Sequence, residues 1–257
     1  MIHSTAIVDS NAEIGEGVDI GPYSVVEGGV SIGEGTKIGP HVIIREGTRI
    51  GKRCQIFQFA SIGEAPQFLG YKGEKTFLQI GDHNVIREFV TLHRGTVKGG
   101  GKTAVGNDNF FMAYSHVAHD CQIGNQVVLA NGAALGGHIL IEDYATIGGL
   151  SAVHQFCQIG THAFVSGLTG VPLDIPPYML AAGNRARLYG LNTVGLKRHK
   201  FPEETVRVLK KAYRTIFRSG LALEKALQKI REDEIPPCPE VRHLLDFIQR
   251  SKRGISR

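Results

Sequence analysis

Five histidines cluster in the later hexads of this 257-residue chain: His116, His119, His138, His154 and His162. The first two stand in Ser115-His116-Val117-Ala118-His119-Asp120-Cys121, so a carboxylate directly follows the second imidazole. A neutral imidazole oriented by a carboxylate or carbonyl is suited to removing a proton from a sugar hydroxyl. Gly137 lies 18 residues beyond His119, and Gln155 lies 18 beyond that; His138 and His154 are each one residue off this column. Gly136-Gly137 is a place where bare backbone N–H groups could meet a developing oxyanion. If residues 18 apart stack, His119, Gly137–His138 and His154–Gln155 form a ladder near one corner.

That stacking is what the rest of the chain encodes. An aliphatic residue recurs at every sixth position, in runs from Ile2 to Ile62, Ile80 to Leu92 and Val105 to Val171. Of 26 such positions, 25 are Ile, Val or Leu, the exception being Phe111. A period of six fits neither an amphipathic helix nor an alternating strand, and reads as a parallel β-helix. The second residue of each hexad is often Gly, and the fifth is small or β-branched, as at Ala60, Thr48 and Ala133. Three hexads per triangular coil put residues 18 apart on neighbouring strands, and nearly nine coils make a prism about 40 Å tall at the ordinary strand spacing. Period alone does not give the hand of the coil.

Residues 68–79 and 98–104 break the pattern and are expected to leave the prism as loops, where function often resides. The second contains Gly99-Gly100-Gly101-Lys102-Thr103. It lacks the first glycine and the strand-to-helix context of a phosphate loop, and is expected to be a flexible excursion. Pro172, Pro176 and Pro177 end the hexads, so residues 1–180 are expected to form the β-helix domain and 181–257 a linker and helical domain. Residues 181–200 read as a transition. Helices are expected from Phe201-Pro202-Glu203-Glu204 to about Ser219-Gly220, from Leu221 to about Asp233, and from Pro239 to about Ser251 after Pro236-Pro237.

Charge is uneven. Residues 197–257 hold 16 Lys and Arg against 8 Asp and Glu, while the remainder holds 13 against 16. A basic cap on a slightly acidic prism points to an acidic partner, although not to nucleic acid, because the basic residues are not interleaved with aromatics. No run of 18 apolar residues and no signal-peptide pattern is present, so no integral membrane segment is expected. Cys54, Cys121 and Cys157 occupy inward fifth positions and no CxxC occurs. They read as reduced core residues of a cytoplasmic protein rather than disulfides or zinc ligands.

The stretches SHVAHDC (115–121), AVHQFC (152–157), LHRGT (92–96), DIPPY (174–178) and GLKR (195–198) resemble the UDP-N-acetylglucosamine acyltransferase family over essentially the whole chain. The resemblance implies a mainly β, left-handed parallel β-helix with a C-terminal α-helical domain. It also implies a homotrimer with active sites between subunits. The implied reaction moves an R-3-hydroxyacyl group from acyl carrier protein to the glucosamine 3-position of UDP-GlcNAc, the first step of lipid A synthesis, with no metal or other cofactor. His119 matches the general base, Asp120 its orienting partner, and Gly137 the oxyanion-stabilising N–H. His116, His138, His154 and Gln155 match substrate-contacting positions, with Gln67 and His93 as further carry-overs. Asn192 and Arg198 match nucleotide-side contacts, and acyl carrier protein is a candidate acidic partner for the cap. Gly167 sits where the family sets acyl length. A glycine leaves the groove open for a longer donor; the alternative is a corner glycine needed only for backbone shape.

Three residues depart from the family pattern. Phe68 and Gly70 stand where an acid and a lysine are common, which removes two polar contacts to the sugar, with Lys72, Glu74 and Lys75 as neighbouring replacements. His199 stands where a second arginine often follows Arg198. The same chemistry on the 3-amino analogue of the sugar nucleotide, or a CoA-dependent hexapeptide acyltransferase, are the alternative readings. A zinc hydratase on this scaffold would need three histidine ligands, and His116 and His119 are three residues apart rather than the five that resemblance would require.

Overall fold

The computed structural model describes residues 1–232 and 238–257. Short strands, mostly two residues long, stack into three sheets of 9, 8 and 10 strands that form the faces of a triangular prism. Every pairing within the prism is parallel, and among the hexads outside the two excursions the register is 18, as in His116 with Ala134 and Val117 with Leu135; in the last coil it is 16, as in Phe164 with Leu180. Two residues per strand suffice because each coil must turn a corner after only six. The aliphatic member of each hexad points inward: Ile44, Ile62, Leu92, Val117, Leu135 and Ile147 are at most 1% exposed. Cys54, Cys121 and Cys157 are likewise fully buried. Burial pushes the Cys121 thiol up to about 12 and Cys157 up to about 11, so both are inert thiols.

The corners place non-glycine residues in the left-handed region. Asp120, His138 and Phe156, at φ of 63°, 60° and 66°, form one such column between the first and second faces. This conformation is disfavoured for L-residues. It persists because each coil ties the next, with His138 N–H donating to His119 O and Phe156 N–H to Gly137 O.

The two excursions keep phase. Leu78 pairs with Thr48, an offset of 30, and Ala104 with Gln79, an offset of 25. Each loop is shorter at its C-terminal side than hexad counting implies. The strand Phe77–Ile80 already includes Phe77 to Gln79, and Lys102–Val105 already includes Lys102 to Ala104. The two lengthened strands pair along their full four residues, and that ladder takes up what would otherwise be loop.

The β-helix continues past its last hexad. Ile175 bridges Ile159, and Leu180-Ala181 pair in parallel with Phe164-Val165, so the prolines deflect the coil without ending it. The stretch 181–200 is more ordered than a transition. Met179–Ala182 and Arg187–Leu191 form an antiparallel hairpin, and Thr193–Arg198 forms a first helix, α1, capped by the Asn192 side chain. Three amphipathic helices follow: α2 (Glu203–Phe217), α3 (Leu223–Glu232) and α4 (Pro239–Arg250). Acidic residues stand in the first turn of each, where they oppose the helix dipole. Asp233 and the Pro236-Pro237 break lie outside the described residues. The tail returns to the prism, where Ile255 bridges Asp174. No helix among the described residues is long and apolar enough to cross a membrane.

Candidate active site

The predicted ladder forms at the corner between the first and second faces. His119 Nδ1 lies 2.7 Å from Asp120 Oδ2, with the imidazole 13% and the carboxylate 1% exposed. A carboxylate this close fixes the tautomer with hydrogen on Nδ1, leaving Nε2 free to accept a proton. Asp120 is held in turn by a residue just before the second excursion: Thr96 N–H donates to Oδ1 and Thr96 Oγ1 to Oδ2, each at 2.7 Å. Gly99 is so close that a Cβ there would lie 2.0 Å from the carboxylate carbon. The excursion expected to be flexible packs Gly99 against the carboxylate, and its Thr103 Oγ1 accepts from Asp120 N–H at 2.8 Å.

Gly137 lies directly under the His119 ring, and a Cβ at that position would meet Cε1 at 2.6 Å. Of the Gly136-Gly137 pair, Gly136 N–H donates to Val153 O, whereas Gly137 N–H makes no hydrogen bond among the described residues. An N–H without a hydrogen bond among the described residues thus belongs to the residue on which the imidazole packs. His138 stands edge-on to His119, with centroids 5.1 Å apart, and stacks on Phe156 at 4.5 Å. Burial and the adjacent His119 lower its pKa against the pull of Asp120.

Further along the first face, His116 accepts or donates at Thr91 Oγ1 through Nδ1 at 2.7 Å and meets His93 edge-on at 4.9 Å. Burial lowers both imidazoles, His93 to about 4, with His116 and His119 adding to the effect. His93 Nδ1 is buried without a partner among the described residues, so the ring is a neutral wall of the site with one polar atom available. His154 and Gln155 are exposed on the next coils. Arg253 Nη2 lies 2.8 Å from His154 Nδ1, and the Gln155 carbonyl oxygen lies 3.1 Å from the same nitrogen.

Comparison with known proteins was decisive. Residues 174–256 match the family described as Udp N-acetylglucosamine O-acyltransferase, Domain 2, and residues 102–137 match the bacterial transferase hexapeptide repeats. Over the whole chain, and 99% of each relative, the sequence is 59% identical to the acyl-(acyl-carrier-protein)–UDP-N-acetylglucosamine O-acyltransferase of Trichlorobacter lovleyi and 52% identical to that of Thermodesulfovibrio yellowstonii. The chain belongs to the UDP-N-acetylglucosamine O-acyltransferase family. The solved UDP-N-acetylglucosamine acyltransferases of Bacteroides fragilis (40% identical, TM-score 0.97) and Moraxella catarrhalis (44%, 0.95) superpose over the full chain and over 100% and 99% of their own lengths. The likeness extends to the left-handed parallel β-helix.

Within this family member, the structure separates the remaining candidates. Gln67 is exposed on the first excursion. Its neighbour Phe68 packs on His119, ring centroids 5.7 Å apart. The same ring lies over Gly70, where a Cβ would be 2.7 Å away, so the two departures from the family pattern are sterically coupled. Lys72 and Glu74 close on their own loop, the Lys72 N–H donating to the Glu74 carboxylate. Asn192 and Arg198 are not near His119 in the same chain. They line a separate 460 Å³ pocket on the third face with Tyr144, His162 and His199. The Asn192 side chain is committed at both ends, accepting from Gly195 N–H and donating to His162 O. His162 is held down to about 4 by burial and by His199. Gly167 is exposed and does not carry the left-handed φ of its corner, which belongs to Leu168. A Cβ there would meet only the Gly149 backbone at 3.3 Å or more, so backbone shape does not require glycine.

His119, Asp120 and His138 bring ligand-type atoms within 4.8 Å of one another. A cation there would have to displace the bonds that Thr96 and His119 already make to Asp120. Thr96, Phe156 and Arg253 were not legible as site residues, and at Phe68 the sequence marked the position but not its packing on His119. Phe156 lies on the Asp120–His138 column and could have been found by the 18-residue spacing; the others reach the site through loops or the tail, which carry no period.

Proposed function

We propose that the chain transfers an R-3-hydroxyacyl group from the thioester of an acyl carrier protein to the 3-hydroxyl of the glucosamine ring in UDP-N-acetylglucosamine, opening lipid A biosynthesis in the cytoplasm. The observation that carries this is the free Gly137 N–H beside an imidazole held by a buried carboxylate. His119 Nε2 takes the hydroxyl proton as the oxygen attacks the thioester carbonyl, and Asp120 stabilises the imidazolium. Gly137 N–H receives the carbonyl oxygen as it becomes an oxyanion. Collapse expels the carrier's thiolate, which regains the proton from His119. A thioester is already activated, so positioning, proton transfer and charge stabilisation complete the chemistry without a cofactor. His116, His138, His154, Gln155, His93 and Gln67 line the acceptor and donor path, and Gly167 leaves the acyl groove open.

The nucleotide-side residues Asn192 and Arg198 act on the site of a neighbouring subunit in a homotrimer. Surface chemistry supports this. In the later coils the outward positions of the third face are mostly apolar (Val85, Phe110, Val128, Phe164 and Leu180, with Thr146 among them), while those of the second mix Gln79, Gln122 and Gln158 with Ala104 and Leu140. The corner joining third to first face carries an exposed stack of Tyr23, His41, Phe59, Phe89 and Tyr114, continued by Leu150 and Leu168. An apolar edge of this length marks an interaction surface. The test is product mass after incubating the protein with 3-hydroxyacyl carrier proteins of several lengths and UDP-GlcNAc or its 3-amino analogue. An ester with UDP-GlcNAc is expected; an amide alone with the amino analogue, or turnover with acetyl-CoA only, overturns the reading.

A further inference from the structure

The first excursion sets an aromatic ring beside the catalytic imidazole and holds it there. Phe68 packs on His119 with ring centroids 5.7 Å apart and planes tilted by 41°, while 38% of the residue stays exposed. Its backbone is tied on both sides, Phe68 N–H donating to Pro66 O and Tyr71 N–H to Phe68 O. Arg94 braces the loop from the next coil: Nη1 donates to Gly63 O, where the excursion departs, and Nε and Nη2 donate to the Tyr71 hydroxyl. That hydroxyl in turn donates to Glu74 O at 2.7 Å. The charged side chains of the loop are engaged elsewhere. Glu74 and Lys75 line a separate hollow of about 180 Å³ with Glu46, Thr76 and Arg94, and the Glu74 carboxylate accepts from Lys72 N–H. Phe68 is therefore the side chain with which this loop meets the imidazole.

Three other neighbours fix the imidazole: Asp120 holds Nδ1, Gly137 lies against Cε1 and His138 stands edge-on. A hydroxyl that gives its proton to Nε2 must come within about 3 Å of that atom. The pyranose that carries the hydroxyl then has ring carbons in van der Waals reach of an aromatic ring centred 5.7 Å from the imidazole. A gluco-configured pyranose keeps its substituents equatorial, so each of its faces is a patch of axial C–H bonds. The negative face of an aromatic ring attracts such C–H groups and excludes water from them. Gly70 completes the fit. A Cβ there would lie 2.7 Å from Phe68 Cε1 and Cζ, so a side chain at position 70 and the ring in this place exclude one another. We propose that Phe68 is a specificity-determining residue, the platform on which the glucosamine ring of the acceptor stacks. It supplies by apolar contact the grip that an acid and a lysine would supply by hydrogen bonds. The proposal rests on the UDP-N-acetylglucosamine acceptor argued above and names what reads its sugar ring.

The test is calorimetric titration of the full-length protein with UDP-GlcNAc and with UDP, the ratio of the two affinities reporting what the sugar adds. Phe68→Leu keeps apolar bulk and removes the aromatic face, whereas Phe68→Tyr keeps the face. The leucine variant is expected to lower the ratio roughly three- to tenfold and to raise KM for UDP-GlcNAc to the same extent. Its affinity for UDP and its KM for the carrier-bound donor are expected to stay as in the wild type, and the tyrosine variant to keep the wild-type ratio. A ratio that survives in Phe68→Leu overturns the proposal, as does an equal loss in Phe68→Tyr. If the leucine variant loses kcat with the ratio intact, the ring only shields the imidazole. If it raises KM for the donor instead, the ring meets the acyl chain, and if it weakens UDP as well, the ring only shapes the loop; each of these results also overturns the assignment. Wild-type product formation is measured separately. Absence of any ester with UDP-GlcNAc refutes the reaction reading, whereas ester formation with a ratio that Phe68→Leu leaves unchanged refutes the platform alone.

Discussion

At the residue scale the site is one imidazole, one carboxylate and one amide, each held by a different part of the chain. Removing the base should cost on the order of 10²–10⁴ in kcat, so His119→Ala is expected to lose most turnover with an unchanged melting temperature; near-normal kcat removes His119 from the mechanism. Asp120→Asn should be worse than a simple loss of charge. The Asp120 carboxylate accepts from Thr96 N–H, Thr96 Oγ1 and His119, and an amide NH₂ can replace an acceptor only by facing a donor. The variant should lose both rate and stability, the latter by about 1–3 kcal/mol in denaturant titration. A loss of rate alone would mean that the second excursion does not depend on Asp120.

At the element scale, the two loops and one corner decide what reaches the imidazole. The Phe68 ring occupies the space above Gly70. Gly70→Lys alone should therefore push Phe68 from His119 and lower kcat/KM, whereas Phe68→Asp with Gly70→Lys should recover more than the single effects predict. A double-mutant coupling of about 1–3 kcal/mol is expected; strict additivity would show that the two positions do not share space. Gly167 tests the acyl groove. With no positive φ to preserve and the Gly149 backbone at 3.3 Å as the nearest contact of a Cβ, Gly167→Met should fold and shift preference to shorter donors, by roughly fourfold per excluded CH₂. An unchanged profile across donor lengths would place the acyl chain elsewhere.

For the whole molecule, assembly and acid sensitivity follow from what the prism exposes and what it buries. Tyr114 is 64% and Leu150 68% exposed on the apolar corner. Tyr114→Lys/Leu150→Lys should put charge into the proposed contact and lower the mass in analytical ultracentrifugation from three chains to one, with activity falling together. Retention of the trimer would move the interface to another edge. His93 and His162 are held near 4 by burial, below the 6.5 of an unfolded histidine. As pH falls through 6.5, the unfolded chain takes up protons that the native state refuses, so stability is lost between about 6.5 and 4 and levels off below. Melting temperature should fall across that window, and His162→Phe should flatten the slope.

The hexad period determined the parallel β-helix, its 18-residue stacking and the ladder of His119, Gly137 and Gln155, because an inward aliphatic side chain at every sixth residue leaves the coil no other register. It also marked Cys54, Cys121 and Cys157 as core. Helices α2 to α4 were legible from their prolines and acidic first turns, whereas α1 and the final hairpin were not, since their pairing is with the last coil rather than with a local pattern. Only the tertiary structure decided that Thr96 and Gly99 carry Asp120, that Phe68 shields His119, that Gly136 spends its N–H while Gly137 keeps it, and that four arginines from a turn and a tail share one cup. The loop and tail contacts among these join residues 21 to 72 positions apart without a period; their spacing obeys the path of the chain in space, which no repeat in the sequence records.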